Sequence, residues 1–148
     1  MTNLISNKEI RCLKCGKMLA KNRGILGAEI KCLRCGTLNR ILENMIEQVI
    51  ITNKEGKILF VNKAVEVATG YLSHEVIGKR PSELWGGHMS RGFYADMWKS
   101  MLKKRGSVKL NMINKNKSGE LYNVELLVSP IMDTSGDILF FVGVEIVV

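Results

Sequence analysis

Four cysteines at a repeated spacing are the residues of this chain best suited to chemistry. Cys12 and Cys15 form one Cys-x-x-Cys-Gly, Cys32 and Cys35 a second, with sixteen residues between the pairs. Two residues between sulfurs let one tight turn aim both at a single point. The glycine after each pair, Gly16 or Gly36, can take a positive φ without strain and turn the chain beneath a metal. Two such knuckles supply four thiolates, a donor set that suits tetrahedral Zn2+. Four thiolates leave no position for water, so the metal is expected to be structural rather than catalytic.

Three other uses of the cysteines compete. Two disulfides would not persist in a reducing compartment. A redox-active dithiol usually opens a helix beside a βαβ pattern, which this segment lacks. Iron in a rubredoxin-like site sits in an aromatic core, and here no aromatic residue precedes Phe60. A segment of this size without aromatics cannot bury enough apolar surface to fold unaided, and metal binding would supply the missing stability.

The charge is concentrated in the same segment. Residues 1–40 carry nine Lys/Arg against Glu9 and Glu29, a balance of +7, out of +8 for all 148 residues. Lys14, Lys17, Lys21, Arg23, Lys31 and Arg34 are the candidates for phosphate contacts with RNA or DNA. Lys14 and Arg34 fall inside the knuckles, where a side chain must project outward. The lack of aromatics argues against base stacking, and four thiolates on Zn2+ would cancel part of the positive charge. A protein partner and a merely solvated basic surface are the competing readings.

The stretches IRCLKCGKMLAK and IKCLRCGTLN resemble the Com-type zinc-finger proteins of Mu-like phages over roughly residues 9–40. The resemblance implies translational regulation by mRNA binding. Zinc ribbons carry many functions on one scaffold, so the pattern alone does not fix the activity.

The composition changes near residue 40, which predicts a module over 1–40 and a second domain over 41–148. Leu38, Leu42, Met45, Ile46 and Val49 recur at three- and four-residue steps and predict a connecting helix over 38–48. Beyond it, Asn53-Lys54-Glu55-Gly56, Asn116-Lys117-Ser118-Gly119 and Asp133-Thr134-Ser135-Gly136 read as tight turns. They separate β-rich runs at Val49–Thr52, Lys57–Val61, Val108–Lys115, Glu120–Ser129 and Asp137–Val147. Three tight connections among five strands predict a largely antiparallel sheet in an α+β domain. Arg91–Arg105 places Phe93, Met97 and Met101 in one row, with Tyr94, Trp98 and Leu102 beside it, and reads as a helix ending before Gly106.

Two strands, a run of helices and three strands is the PAS layout. ENMIEQVIITNKEGKILFVNKAVEVATGYLSHEVIGKRPSELW resembles a PAS opening, and NKNKSGELYNVELLVSPIMDTSGDILFFVGVEI a PAS closing hairpin. Asn53 stands where many members have Asp, and His74 where Arg or Lys is commoner. The resemblance implies a sensor or interaction module with flanking helices on a five-stranded sheet. The light-sensing branch needs a cysteine where this chain has GKRPSELW, so photo-adduct chemistry is not expected. His88 matches no recognised haem motif and reads as a loop or helix-start histidine. SELWGGHMSRGFYADMWKSML and NKNKSGELYNVEL resemble the FAD-binding redox PAS domains of nitrogen-fixation regulators. That resemblance places Trp85 near the cavity mouth and Asn114 at a polar position of the pocket. Trp85 as plain core and Asn114 as a turn residue are the alternatives.

The last strand has apolar residues on both faces: Ile138, Phe140, Val142, Val144 and Ile146 alternate with Leu139, Phe141 and Val147. The face turned from the core needs cover, from the 38–48 helix or from a second copy, and a symmetric PAS–PAS homodimer is expected. No apolar stretch has the length of a membrane span, and MTNLISNKEIRC lacks the apolar core of a secretion signal. The expected location is the cytoplasm. There is no nucleophile–base pattern, phosphate loop or effector after the last strand, so the expectation is a non-enzymatic regulator. A sensor controlling a nucleic-acid-binding module leads. A protein-binding adaptor and a small iron or flavin redox protein are the alternatives.

Overall fold

The computed structural model describes residues 9–11, 14–21, 29–31, 38–40 and 42–148. The chain divides into two compact units, Met1–Met45 and Ile46–Val148.

The first unit contains two antiparallel hairpins. Strand β1 (Glu9–Arg11) pairs with β2 (Met18–Lys21), and β3 (Glu29–Lys31) with β4 (Leu38–Arg40). Each hairpin therefore brackets one Cys-x-x-Cys-Gly. In the first, Lys14 and Cys15 form the turn and Gly16 has φ +71°, the left-handed backbone a knuckle requires.

Among the described residues of 38–48 the expected helix does not form. Leu38–Arg40 is strand, Leu42–Asn44 is one turn of 3₁₀ helix, and strand β5 begins at Gln48. The physical reason is competition for backbone partners. The first three residues pair with Glu29–Lys31, and those from Gln48 onward pair with the last strand. Only about seven residues remain between them, too few to repay helix nucleation.

The second unit is a five-stranded antiparallel sheet in the order β6-β5-β9-β8-β7. Its strands are β5 (Gln48–Asn53), β6 (Ile58–Val61), β7 (Val108–Lys115), β8 (Leu121–Met132) and β9 (Ile138–Val147). The three Asx–Gly turns join β5 to β6, β7 to β8 and β8 to β9. Gly56, Gly119 and Gly136 have φ of +81°, +95° and +85°. The Asn53, Asn116 and Asp133 side chains accept backbone N–H bonds across their turns. Asn53 thus does the work of the commoner Asp.

Between β6 and β7 lie α1 (Lys63–Thr69), α2 (Ser73–Val76), a 3₁₀ turn at Pro81–Glu83 and α3 (Arg91–Lys104). Asn62 caps α1 and Ser90 caps α3, each side chain accepting a backbone N–H. Arg105, in the left-handed region, ends α3 one residue before Gly106. Met97 and Met101 of the predicted row are buried, Phe93 is half-buried and Leu102 is exposed.

The helical side and the sheet enclose two apolar clusters. Ile50, Ile58, Val61, Val65, Val76 and Trp85 form one, and Met97, Met101, Val108, Val128 and Phe141 the other. Phe141 meets Trp98 edge-on, with ring centroids 5.0 Å apart. Lys117, in the β7–β8 turn, ties that hairpin to the helices: its N–H bonds the Thr69 carbonyl, and its ammonium pairs with Glu75 at 2.5 Å. On β9, Phe141 and Glu145 are buried, and Phe140 and Ile146 are exposed.

Candidate functional site

A cavity of about 570 Å³ lies between the sheet and the helical side. Its wall is largely apolar: Ile50, Met97, Trp98, Met112, Leu126 and Phe141 contribute. Gly143 on β9 leaves the sheet floor without a side chain, and a Cβ there would touch Leu126 at 3.4 Å. The volume is in the range of small-molecule and cofactor sites.

One part of the cavity is polar. Asn114 on β7 and Glu145 on β9 both line it, and Asn114 Nδ2 donates a 3.0 Å hydrogen bond to Glu145 Oε2. Trp85, held by its carbonyl accepting from Lys115 N at 2.8 Å, lines the same space. All three side chains are buried, at 0%, 6% and 1% exposure respectively. Tyr122 is the register partner of Asn114, and Gln48 that of Glu145. Gln48 Oε1, Trp85 Nε1, Asn114 Oδ1 and Tyr122 Oη are buried without a well-formed hydrogen bond, although the Trp85 N–H still acts on Glu145 and the Asn114 amide on Tyr122.

The electrostatics follow from burial. The Glu145 carboxyl is pushed up to about 7 by loss of water, which outweighs the pull of the Trp85 N–H and the Asn114 amide toward the ionised form. The Tyr122 phenol is pushed up to about 12, first by burial and then by the Glu145 charge. Below pH 7 this carboxyl is mostly protonated and can donate a hydrogen bond as well as accept one.

The mouth is built from loops. Lys54, Glu55, Arg80 and Ser82 are its exposed polar residues. Arg80 Nε donates to the Glu55 carbonyl. Tyr94 Oη accepts from the Gly87 and Met89 N–H groups and so anchors the approach to α3. Gly87 has φ +82°, and a Cβ there would stand 2.7 Å from the Ser82 carbonyl oxygen.

Of the two residues singled out for a cofactor, Asn114 lies in the cavity wall. Trp85 is fully buried inside rather than at the mouth. The sequence reasoning passed over Glu145. Its signal was a lone carboxylate in the apolar run FFVGVEIVV, two residues beyond a glycine on the same face of the strand. His88 is exposed in the loop before α3. In the first unit, Cys15 is half-buried, and Lys14 and Lys17 are exposed beside it. Lys21 and Lys31 lie on β2 and β3. Cys12, Cys32, Cys35, Arg23 and Arg34 lie outside the described residues.

The PAS fold family matches residues 36–146, and the family described as Mu-like prophage protein Com, a zinc ribbon, matches residues 6–46. The chain belongs to the PAS family, with a Com-like zinc ribbon fused ahead of the sensor fold. The nitrogen fixation regulatory protein of Klebsiella oxytoca is 25% identical over 105 residues, covering 68% of this chain and 21% of that protein. The blue-light photoreceptor of Listeria innocua is 33% identical over 100 residues, covering 66% of this chain and 39% of that protein. A crystal structure of a PAS domain from Colwellia psychrerythraea matches with a TM-score of 0.65 at 18% identity, covering 72% of this chain and 90% of that one. The chain thus spans well under half the length of these curated relatives. No helix among the described residues is long and apolar enough to cross a membrane.

Proposed function

We propose that this is a non-enzymatic cytoplasmic regulator in which the PAS unit senses a small molecule or redox state and controls a zinc-stabilised nucleic-acid-binding module. The observation that carries the reading is the cavity: a largely apolar chamber lined by the buried polar side chains Asn114 and Glu145 has the size and wall of a small-molecule site.

In this reading Cys12, Cys15, Cys32 and Cys35 hold Zn2+. The paired hairpins and the left-handed Gly16 support it, since each hairpin brackets one knuckle. The thiolates would take all four positions of the ion, which folds the module and leaves no site for water. Lys14, Lys17, Lys21, Arg23, Lys31 and Arg34 supply the charge for RNA or DNA. FAD is a candidate occupant of the cavity, with Trp85 and Asn114 on its ring. Both residues line the space, which is what a cofactor-binding role requires.

A second reading, a protein-binding adaptor or PAS–PAS homodimer, is favoured by one feature. Phe140, Ile146, Leu127 and Ile131 are exposed and sit on adjacent β8 and β9 positions. Metal analysis, an absorption spectrum and salt-dependent oligonucleotide binding of the purified chain test the choice. One zinc per chain with salt-sensitive binding supports the regulator. One zinc with no oligonucleotide binding leaves the adaptor, and stoichiometric iron returns the redox protein.

A further inference from the structure

Helix α3 carries two kinds of side chain. Tyr94, Met97 and Trp98 line the cavity. Arg91, Ala95, Lys99 and Lys103 follow one another at four-residue steps, form one row along the helix, and are all exposed. The row is about 18 Å long. With Lys104 and the cap residue Arg105, this element holds five Lys/Arg against Asp96. The rest of Ile46–Val148 holds eight Lys/Arg against ten Asp/Glu, so the excess positive charge of this unit sits on one helix. Stability does not account for the row. Lys63, Lys109 and Lys117 each pair with a carboxylate, whereas Arg91, Lys99, Lys103 and Lys104 have no such partner among the described residues. Lys99 and Lys103, four residues apart, repel each other. Arg91 stands in the first turn, at the positive end of the helix dipole, where no acidic residue offsets it. Lys103 and Lys104, in the last turn, are the two that the dipole favours. Arg105 is engaged with the Gly136 carbonyl and stands apart from the row.

Unpaired cations in a line suit a partner whose negative charge also comes in a line. We propose that the exposed row of α3 is a second nucleic-acid contact, in which Arg91, Lys99 and Lys103 bind backbone phosphates of RNA or DNA. The inference rests on the nucleic-acid reading above and extends it from the zinc module to the sensor unit. Ala95 puts no long side chain between Arg91 and Lys99, so a phosphate backbone can come close to the helix there. Phe93, Tyr94 and Trp98, the aromatic residues of α3, are each partly buried. The contact is therefore to phosphates rather than to bases, and it carries no sequence preference. The same helix walls the cavity through Tyr94, Met97 and Trp98, so a change there reaches the row through one rigid element.

The test measures binding of the full, zinc-loaded chain to RNA and DNA oligonucleotides over a salt series. The unaltered chain is compared with an Arg91→Gln, Lys99→Gln, Lys103→Gln variant. A Lys57→Gln, Lys79→Gln, Lys115→Gln variant loses the same charge from exposed positions off α3. In the α3 variant the log–log slope should be shallower by about 2 to 3, with affinity at about 0.1 M salt lower by about tenfold or more. The other variant should keep most of its slope and affinity. Which oligonucleotide binds tighter identifies the source. Lysine acetylation of the unaltered chain, read by mass spectrometry, needs no variant to fold: bound oligonucleotide should protect Lys99 and Lys103 and leave Lys57 and Lys79 reactive. Equal losses in the two variants, or no protection of Lys99 and Lys103, overturns the proposal. An unchanged slope in the α3 variant overturns it too and leaves nucleic-acid binding to the zinc module. No binding by the unaltered chain at low salt removes both readings. Binding to phosphatidylserine vesicles that the α3 variant loses, with its oligonucleotide binding intact, makes a membrane surface the partner and overturns the proposal.

Discussion

The Asn114 amide donates a 3.0 Å hydrogen bond to a Glu145 carboxyl that is almost wholly shut from water. That geometry makes the fold sensitive to pH in a definite direction. Below the ordinary carboxyl value of 4.5, Glu145 is protonated in folded and unfolded chains alike. Between 4.5 and about 7 the unfolded chain gives up the proton first, so it binds fewer protons and gains relative stability. Folding stability conferred by this group is complete in acid and is lost as pH rises through about 7, by on the order of 3 kcal/mol at most. Glu66 acts in the opposite sense. Its carboxyl is lowered to about 2 by Lys63 and Ser73, so its stabilisation is present above 4.5 and is lost as pH falls toward 2. Urea midpoints at pH 5.5 and 8 check the Glu145 effect: the unaltered chain weakens at pH 8, and Glu145→Gln does not. Equal sensitivity in both would remove Glu145 as the cause.

Asn62 is expected to be among the most costly positions to truncate. Its Oδ1 accepts from Val49 N at 3.0 Å and from Val65 N at 3.4 Å, and its Nδ2 donates to the Glu47 carbonyl at 2.8 Å. One buried amide thus caps α1 and fastens it to the start of β5. Asn62→Ala should destabilise the PAS unit by about 2–4 kcal/mol. Asn62→Asp keeps the cap but sets an oxygen against the Glu47 carbonyl, and should also be destabilising. The shift in urea midpoint measures both.

Gly87→Ala tests the mouth of the cavity. The added methyl would stand 2.7 Å from the Ser82 carbonyl oxygen on a backbone already at φ +82°. The loop must move or the residue must leave its left-handed conformation, at a cost of about 1–3 kcal/mol. The thermal midpoint should fall, and near-ultraviolet dichroism from Trp85 and Trp98 should change. An unchanged midpoint would show that the mouth yields freely.

Removing the metal should undo the first unit and spare the second. A strong chelator is expected to release one zinc per chain and abolish the amide-exchange protection of the β1–β2 hairpin. The protection of β8 and β9 should persist, because the sheet has its own core. Cys15→Ser should lower zinc affinity by at least tenfold. Retention of hairpin protection after complete zinc loss would contradict a metal-held module.

Much of the sensor fold was legible because its turns carry their own chemistry. Asn53, Asn116 and Asp133 each cap a turn whose glycine sits in the left-handed region, so three strand boundaries could be read directly. The helix reading of 38–48 failed because apolar spacing does not report partners. Leu38 belongs to a hairpin with Lys31, and Val49 to a ladder with Val144. The cavity was half legible. Asn114 and Trp85 could be picked out by resemblance, whereas Glu145 joins them from a different strand, and a lone carboxylate in an apolar run does not say which residues it meets. The exposed outer face of β9 followed from its two-sided apolar alternation, and Phe140 and Ile146 sit there.

The central claim is that the cavity and the basic module work together, and nucleic-acid affinity of the full zinc-loaded chain tests it most directly. Fluorescence anisotropy with RNA and DNA oligonucleotides over a salt series would be run on the unaltered chain, on a Lys14→Gln, Lys17→Gln, Arg34→Gln triple variant, and on Gly143→Leu, which fills the cavity. The account predicts salt-sensitive binding, a log–log slope shallower by about 2 to 3 in the triple variant, and an affinity changed at least fivefold by filling the cavity. Binding that is absent at low salt, or that ignores either the three charges or the cavity, would contradict it.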